Sequence, residues 1–229
     1  MRLTRTVVLR ALLGADLGPF AETIDAAWTI INQHIGESFW SLGFADWFGG
    51  SKHRQFEAAR AVLAGAVDHV IAERRKHPAD RVDLLSMLLA ARDEETGEAM
   101  SDDQLRVEVT TFLLAGQETT SLALTWTWYL LSQHPDAQRR VEEEIDTVLA
   151  GRAPEYADLV NLPFTRMVVD EALRLYPPAW IFSRQALADD QVSGYHVPRG
   201  WIVFVVPWVL HRLPALWDDP ERFNPDRFS

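Results

Sequence analysis

Cysteine is missing from the whole chain of 229 residues. Its absence excludes disulfides, Cys-based zinc sites, iron–sulfur clusters and any thiol nucleophile within these residues. Positive charge is also scarce: 22 Lys and Arg stand against 33 Asp and Glu, a formal net charge of −11. Phosphate binding needs a basic face, so nucleic acid is excluded as the main partner. Long apolar runs are lacking too. The most apolar, Trp201 to Leu210, contains Pro207 and reaches about half the length that spans a bilayer. The opening Met-Arg-Leu-Thr-Arg-Thr leads into no signal-peptide pattern, and no Asn-x-Ser/Thr acceptor occurs. A cytoplasmic protein with no membrane span is the expectation. What is present, 48% hydrophobic and 24% charged residues, is a globular composition with enough apolar material for one large domain or two small ones.

Roughly the first three quarters read as helix. Apolar residues recur at helical spacing over 4–13 and 20–35, and the Gly- and Trp-rich stretch from Gly36 to Gly50 is expected to break the pattern. From Lys52 to His77, Phe56, Ala59, Leu63, Val67, Val70 and Ile71 share one face, and Arg74-Arg75-Lys76 sit where the helix dipole favours cations. Asp83 can cap a shorter helix through Ala91, with a polar turn over 92–100. The longest helix is expected from Asp102 to Ser132, and Pro135 opens another through Leu149. The Glu142-Glu143-Glu144 run on that next helix reads as a solvated face. A helix over Phe164–Tyr176 ends at Pro177-Pro178. Beyond it, Asp189-Asp190, Ser193-Gly194 and Pro198-Arg199-Gly200 separate short strands, of which Trp201 to Val206 is the clearest, and Leu213 to Ser229 reads as ordered coil. The fold class is mainly α with a small β-sheet.

Two constellations carry chemistry. On the helix over 163–176, Glu171 shares a face with Phe164, Met167, Val168 and Leu175, and Arg174 lies within reach three residues on. A carboxylate on an apolar face must be paired and further hydrogen-bonded. Either this is a weak surface ion pair, or it is buried and calls for another donor, a distant Arg. The second is Ala115-Gly116-Gln117-Glu118-Thr119-Thr120, in the middle of the longest helix. A mid-helix Gly costs about 1 kcal/mol relative to Ala. Small residues there either serve a helix–helix crossing or leave room for a flat ligand against the backbone. Thr119 can bond back to the carbonyl of Ala115 or bind something else, and Glu118 supplies a proton-exchanging group. His53/Glu57 and His69/Glu73 lie one helical turn apart, but without a third ligand they read as surface pairs, and no metal site is assigned.

Together these features resemble the cytochrome P-450 family, the haem-thiolate monooxygenases. Ala115-Gly116-x-Glu118-Thr119-Thr120 is similar to the oxygen-activation motif, Glu171-x-x-Arg174 to the Glu-x-x-Arg helix, and Pro220-x-x-Phe223-x-Pro225-Asp226-Arg227-Phe228 to the later Pro-Glu-Arg-Phe element, with Asp226 for Glu. The resemblance implies a partial cytochrome P-450 fold over 1–229 and a haem b cofactor. It further implies an apolar substrate oxidised by dioxygen, with electrons from a ferredoxin or flavin reductase. It assigns Glu118 and Thr119 to catalysis and Ala115 and Gly116 to the oxygen groove. Glu171, Arg174 and Arg227 form a structural triad, with Arg222 the competing third member. Arg184 would reach a haem propionate, and Phe112, Leu113, Ala179, Trp180 and Ile181 would face the substrate.

The family's iron ligand is a Cys in a loop after the Pro-Glu-Arg-Phe element, and this chain contains no Cys. The expectation is an interior fragment, inactive by itself, that forms no thiolate-ligated haem. The alternatives are a non-catalytic helical ligand-binding or interaction module and an unrelated hydrolase built on Glu118 and a His.

Overall fold

The computed structural model describes residues 2–14, 21–40, 50–77 and 83–229. The chain forms two compact units, Met1–Glu118 and Thr119–Ser229, with the boundary inside the longest helix. Both are built mainly from helices; the strands belong to the second.

In the first unit, α1 (Arg2–Leu13), α2 (Ala21–Trp40), α3 (Ser51–Lys76), α4 (Leu84–Ala90) and the first half of α5 (Asp102–Gln133) bury one core. Leu9, Ile24, Ile31, Leu63, Val67, Leu85 and Val109 lie at its centre, the stripe that helical periodicity marks. The expected break at Gly36 does not occur. α2 runs through Gly36 to Trp40, because one helical Gly costs only about 1 kcal/mol, less than packing returns. Residues 41–49 of that stretch lie outside the described residues.

A buried ion pair fixes the α3–α4 corner. Asp83 caps α4 by accepting from the Ser86 amide at 2.9 Å. Arg74 grips the same carboxylate with both terminal nitrogens, at 2.7 and 2.8 Å, and also donates to the Ser86 hydroxyl. Gly14, with φ +53°, passes so close that a Cβ there would collide with Asp83 and lie 2.9 Å from Arg74. Only Gly satisfies both the left-handed backbone and the close approach. Ser101 and Gln104 then cap α5 reciprocally.

The second unit holds the rest of α5, then α6 (Pro135–Leu149), a 3-10 turn (Tyr156–Asn161) and α7 (Pro163–Leu175). β1 (Phe182–Gln185) pairs antiparallel with β4 (Ile202–Val205), and β2 (Asp190–Val192) with β3 (Tyr195–Val197). Ser193 and Gly194, both at positive φ, make the tight turn of the β2–β3 hairpin. Pro207 converts the apolar run into a one-turn helix, α8 (Pro207–Leu210), so the strand expected through Val206 stops at Val205. The tail ends in a 3-10 turn, Pro225–Phe228. Leu130, Leu131, Phe164, Val168, Ala172, Leu175 and Phe223 form the core.

Candidate functional site

α7 begins at Pro163, and its N-cap residue Leu162 offers no side-chain acceptor. Its free amides are met from α6. Glu144 accepts from the amides of Phe164 at 2.7 Å and Thr165 at 2.8 Å, and from the Thr165 hydroxyl at 2.7 Å. The Glu run on α6 is therefore solvated at Glu142 and Glu143 but not at Glu144, where a helix N-terminus supplies donors and a favourable dipole. Beside it Arg140 lies 3.7 Å from the Phe164 ring centroid and forms a two-pronged pair with Asp226. That pairing lowers the Asp226 carboxyl below its ordinary range. These contacts aim the Pro225–Phe228 turn at the next turns of α7.

There Glu171 is 0% exposed and Arg174 2%. Arg174 donates to Glu171 from Nε at 2.7 Å and from Nη2 at 2.9 Å. Asn224 adds its backbone amide at 2.8 Å and Arg227 its Nε at 3.3 Å. The remaining guanidinium hydrogens reach carbonyls of the tail. Arg174 bonds to those of His211, Pro220 and Arg222, and Arg227 to those of Asp218, Asp219 and Arg222. The ion pair is buried, and the side chain meeting Glu171 from the tail is Arg227. Arg222 contributes its backbone carbonyl. His211 returns Nδ1 to the Arg174 carbonyl at 3.1 Å, and the Arg174 guanidinium lies 5.1 Å from the Trp217 ring centroid. Oε1 of Glu171 accepts from Arg174, the Asn224 amide and Arg227, and Oε2 from Arg174, so the carboxylate joins α7 to the tail.

The centre of α5 is arranged differently. Phe112, Ala115 and Thr119 lie on one exposed stripe, Gly116 is half-buried beside it, and Gln117 is buried. Leu113 packs into the core of the first unit instead of lining a pocket, because it follows Leu105 and Val109 at four-residue spacing. Glu118 is half-buried and makes one hydrogen bond among the described residues: Asn32 Nδ2 on α2 donates to its Oε2 at 2.8 Å. Asn32 carried no signal in the sequence. Its partner lies 86 residues away, beyond any local spacing rule.

An open cavity of about 510 Å³ in the first unit is lined by Ile31, Phe56, Leu63, Thr110, Thr111 and Leu114, with Arg60 and Arg106 at hand. Leu114 precedes Glu118 by one helical turn, and Ile31 adjoins Asn32 in the chain. Phe112 is not among the lining residues. In the second unit Ala179 and Trp180 are exposed and Ile181 half-buried. Arg184 is exposed on β1, its Nη1 on the Ser183 carbonyl at 2.8 Å and its guanidinium 5.2 Å from the Phe182 ring centroid. No group of three His, Cys, Asp or Glu positioned for a metal occurs among the described residues.

The cytochrome P-450 family model matches residues 4–229. Cyclooctatin synthase of Streptomyces melanosporofaciens is 40% identical over 231 residues, which cover 100% of this chain and 50% of that protein. Cyclooctat-9-en-7-ol 5-monooxygenase of the same organism is 42% identical over 187 residues, 82% of this chain and 41% of that protein. A solved structure of a cyanobacterial CYP120A1 with retinoic acid bound matches with a TM-score of 0.84 at 31% identity, covering 99% of this chain and 50% of that one. The chain spans about half the length of these relatives. Family membership implies haem in the relatives' full-length form. Taken unit by unit, residues here fit parts of that group: in the first, Ala115 and Gly116 present a face small enough for a flat ring, and in the second, exposed Arg184 suits a carboxylate. The chain has no thiolate to offer an iron.

Proposed function

The chain belongs to the cytochrome P-450 family, and on that premise we propose that it serves in a haem-dependent monooxygenase. That enzyme inserts one atom of dioxygen into an apolar organic substrate, with electrons from a ferredoxin or flavin reductase, in the cytoplasm. Among the described residues no helix is long and apolar enough to cross a membrane. The observation that carries the reading is the centre of α5. A half-buried carboxyl, Glu118, directly precedes Thr119 on the exposed stripe that carries Ala115.

Bound haem supplies the one-electron and dioxygen chemistry. The residues of this chain do the rest. Ala115 and Gly116 keep side-chain bulk away from the backbone and would leave room there for a flat ring. Glu118 holds a proton at its carboxyl and exchanges it towards Thr119, whose hydroxyl can donate and accept at once. Arg184 would hold a propionate through its planar fork. Phe112 and Trp180 exclude water with apolar surface. Glu171, Arg174 and Arg227 take no part in the chemistry and hold the tail to α7. The relative named for cyclooctat-9-en-7-ol supports an apolar, ring-bearing substrate. No residue of this chain is assigned as the iron ligand.

The test has two steps. The reading frame past Ser229 is expected to run into a Phe-x-x-Gly-x-x-x-Cys-x-Gly loop. The product of that frame, reduced under carbon monoxide, is expected to give a thiolate-type Soret band and to oxygenate apolar substrates. The 229-residue chain alone is expected to give no such band. A thiolate-type band from this chain alone, or a longer product that takes no haem, overturns the reading. A stop codon at Ser229 favours the non-catalytic module.

A further inference from the structure

Asn32 is the single described hydrogen-bond partner of Glu118. Several other carboxylates of the first unit are held by cations: Asp83 by Arg74, Asp68 and Asp103 by Arg106, Glu37 by Lys52. A cation binds the ionised carboxylate and opposes its protonation, since it has donors only. An amide behaves differently. It donates through Nδ2 to a carboxylate and, turned over about its last torsion, accepts through Oδ1 from a carboxylic acid. A neutral partner of this kind orients the group in both protonation states. It also carries no charge that would favour one of them.

The placement adds a link to ligand binding. Asn32 lies on α2 beside Ile31, and Glu118 lies one turn beyond Leu114 on α5; Ile31 and Leu114 both line the 510 Å³ cavity. An occupant of that cavity touches both helices that carry the hydrogen bond.

We propose that Asn32 is a positioning residue for Glu118: its reversible amide orients the carboxyl group through successive protonation and deprotonation and ties that orientation to α2. The inference rests on the reading of Glu118 as the proton-carrying group.

The test compares Asn32→Leu and Asn32→Lys with wild type in the haem-loaded enzyme that contains this chain. Leu removes the hydrogen bond at similar size, whereas Lys keeps a donor but serves only the ionised carboxylate. Both variants are expected to retain haem and substrate affinity within about twofold, while the fraction of consumed dioxygen that reaches product falls about tenfold or more. The solvent deuterium isotope effect on turnover is expected to rise in both. The Glu118 carboxylate band, assigned by infrared difference against Glu118→Gln, is expected to move in Asn32→Leu. An active wild type whose Lys variant turns over normally overturns the inference, because a purely structural contact needs only a donor. So does a carboxylate band that stays put in Asn32→Leu. A wild type that takes up haem yet oxygenates nothing overturns the functional reading itself, and this inference with it.

Discussion

Glu118 and Glu171 are both glutamates on helices that bury apolar neighbours, yet their surroundings differ sharply. Glu171 is fully buried and accepts four hydrogen bonds, two from Arg174, one from Arg227 and one from the Asn224 amide. Glu118 is half-buried and, among the described residues, accepts one, from a neutral amide. Two guanidiniums and a backbone amide on one carboxylate tie three stretches of chain together, and removing any of them leaves a buried polar group short of a partner. A carboxyl group with one neutral partner can gain or lose a proton without stranding a charge. Residue type alone therefore does not separate scaffold from chemistry; the number and charge of the donors does.

The largest effect expected from breaking this contrast is at Arg174. Arg174→Ala removes two hydrogen bonds to Glu171 and frees the carbonyls of His211 and Pro220. Removing one partner of a buried pair costs about 3–5 kcal/mol, and Arg227 and the Asn224 amide, which stay on Glu171, hold the loss to the lower end of that range. Urea unfolding should show that loss in the second unit. Double replacement Glu171→Met with Arg174→Met should recover part of it, because two apolar side chains leave no stranded charge. If the single variant costs no more than the double, burial of the pair is not what makes it essential.

Part of this arrangement was legible before any coordinates. Glu171 betrayed itself as the one carboxylate in phase with Phe164, Val168 and Leu175, and helical periodicity also gave α3, α5, α6 and α7 to within a residue or two at each end. The tail motif supplied Arg227. What could not be read were contacts without a local spacing rule. Glu144 looks like its neighbours Glu142 and Glu143 until α7 folds back and brings amides from 20 and 21 residues away. Asn32 is one of many polar residues on α2 until α5 crosses near it. Leu113 illustrates a different limit: adjacent helical residues point about 100° apart, so Leu113 turns into the core while its neighbour Phe112 is exposed. At Gly36 a weak local preference yielded to tertiary packing.

Asp83 lies between the two extremes, with one guanidinium and one helix-capping amide, and it gives a smaller effect that pH can read. Arg74 first, then the Ser86 amide and hydroxyl, lower its carboxyl to about 2 against the opposing effect of burial. A carboxyl depressed in the fold contributes stability above its unfolded value, near 3.9, and loses it as pH falls through the folded value. The contribution is up to about 2 kcal/mol, present in full above about pH 5 and gone near pH 1. Asp158 in the second unit, also lowered to about 2 chiefly by Arg152, titrates over the same window. Wild type should therefore lose stability on acidification more steeply than Asp83→Asn, and Asp158→Asn should flatten the second unit's transition instead. Urea midpoints followed by a probe in each unit separate the two. Identical slopes in wild type and Asp83→Asn would remove Arg74–Asp83 from the account of acid sensitivity.

The smallest stability effect is expected where the chemistry is placed. Glu118→Gln keeps an oxygen for Asn32 to donate to, removes a charge that no cation among the described residues pairs with, and leaves the shape of α5 unchanged. Its unfolding free energy should lie within about 1 kcal/mol of wild type. Glu171→Gln, by contrast, puts an amide among donors arranged for an anion and should cost several-fold more. In the haem-loaded enzyme the order reverses. Glu118→Gln cannot carry a proton, and loss of a general acid lowers turnover by about a hundredfold, whereas any Glu171 variant that still folds should turn over nearly normally. Unfolding and turnover measured on the same two variants thus cross. A Glu118→Gln protein that is strongly destabilised, or fully active, would place Glu118 with Glu171 on the scaffold side of the contrast.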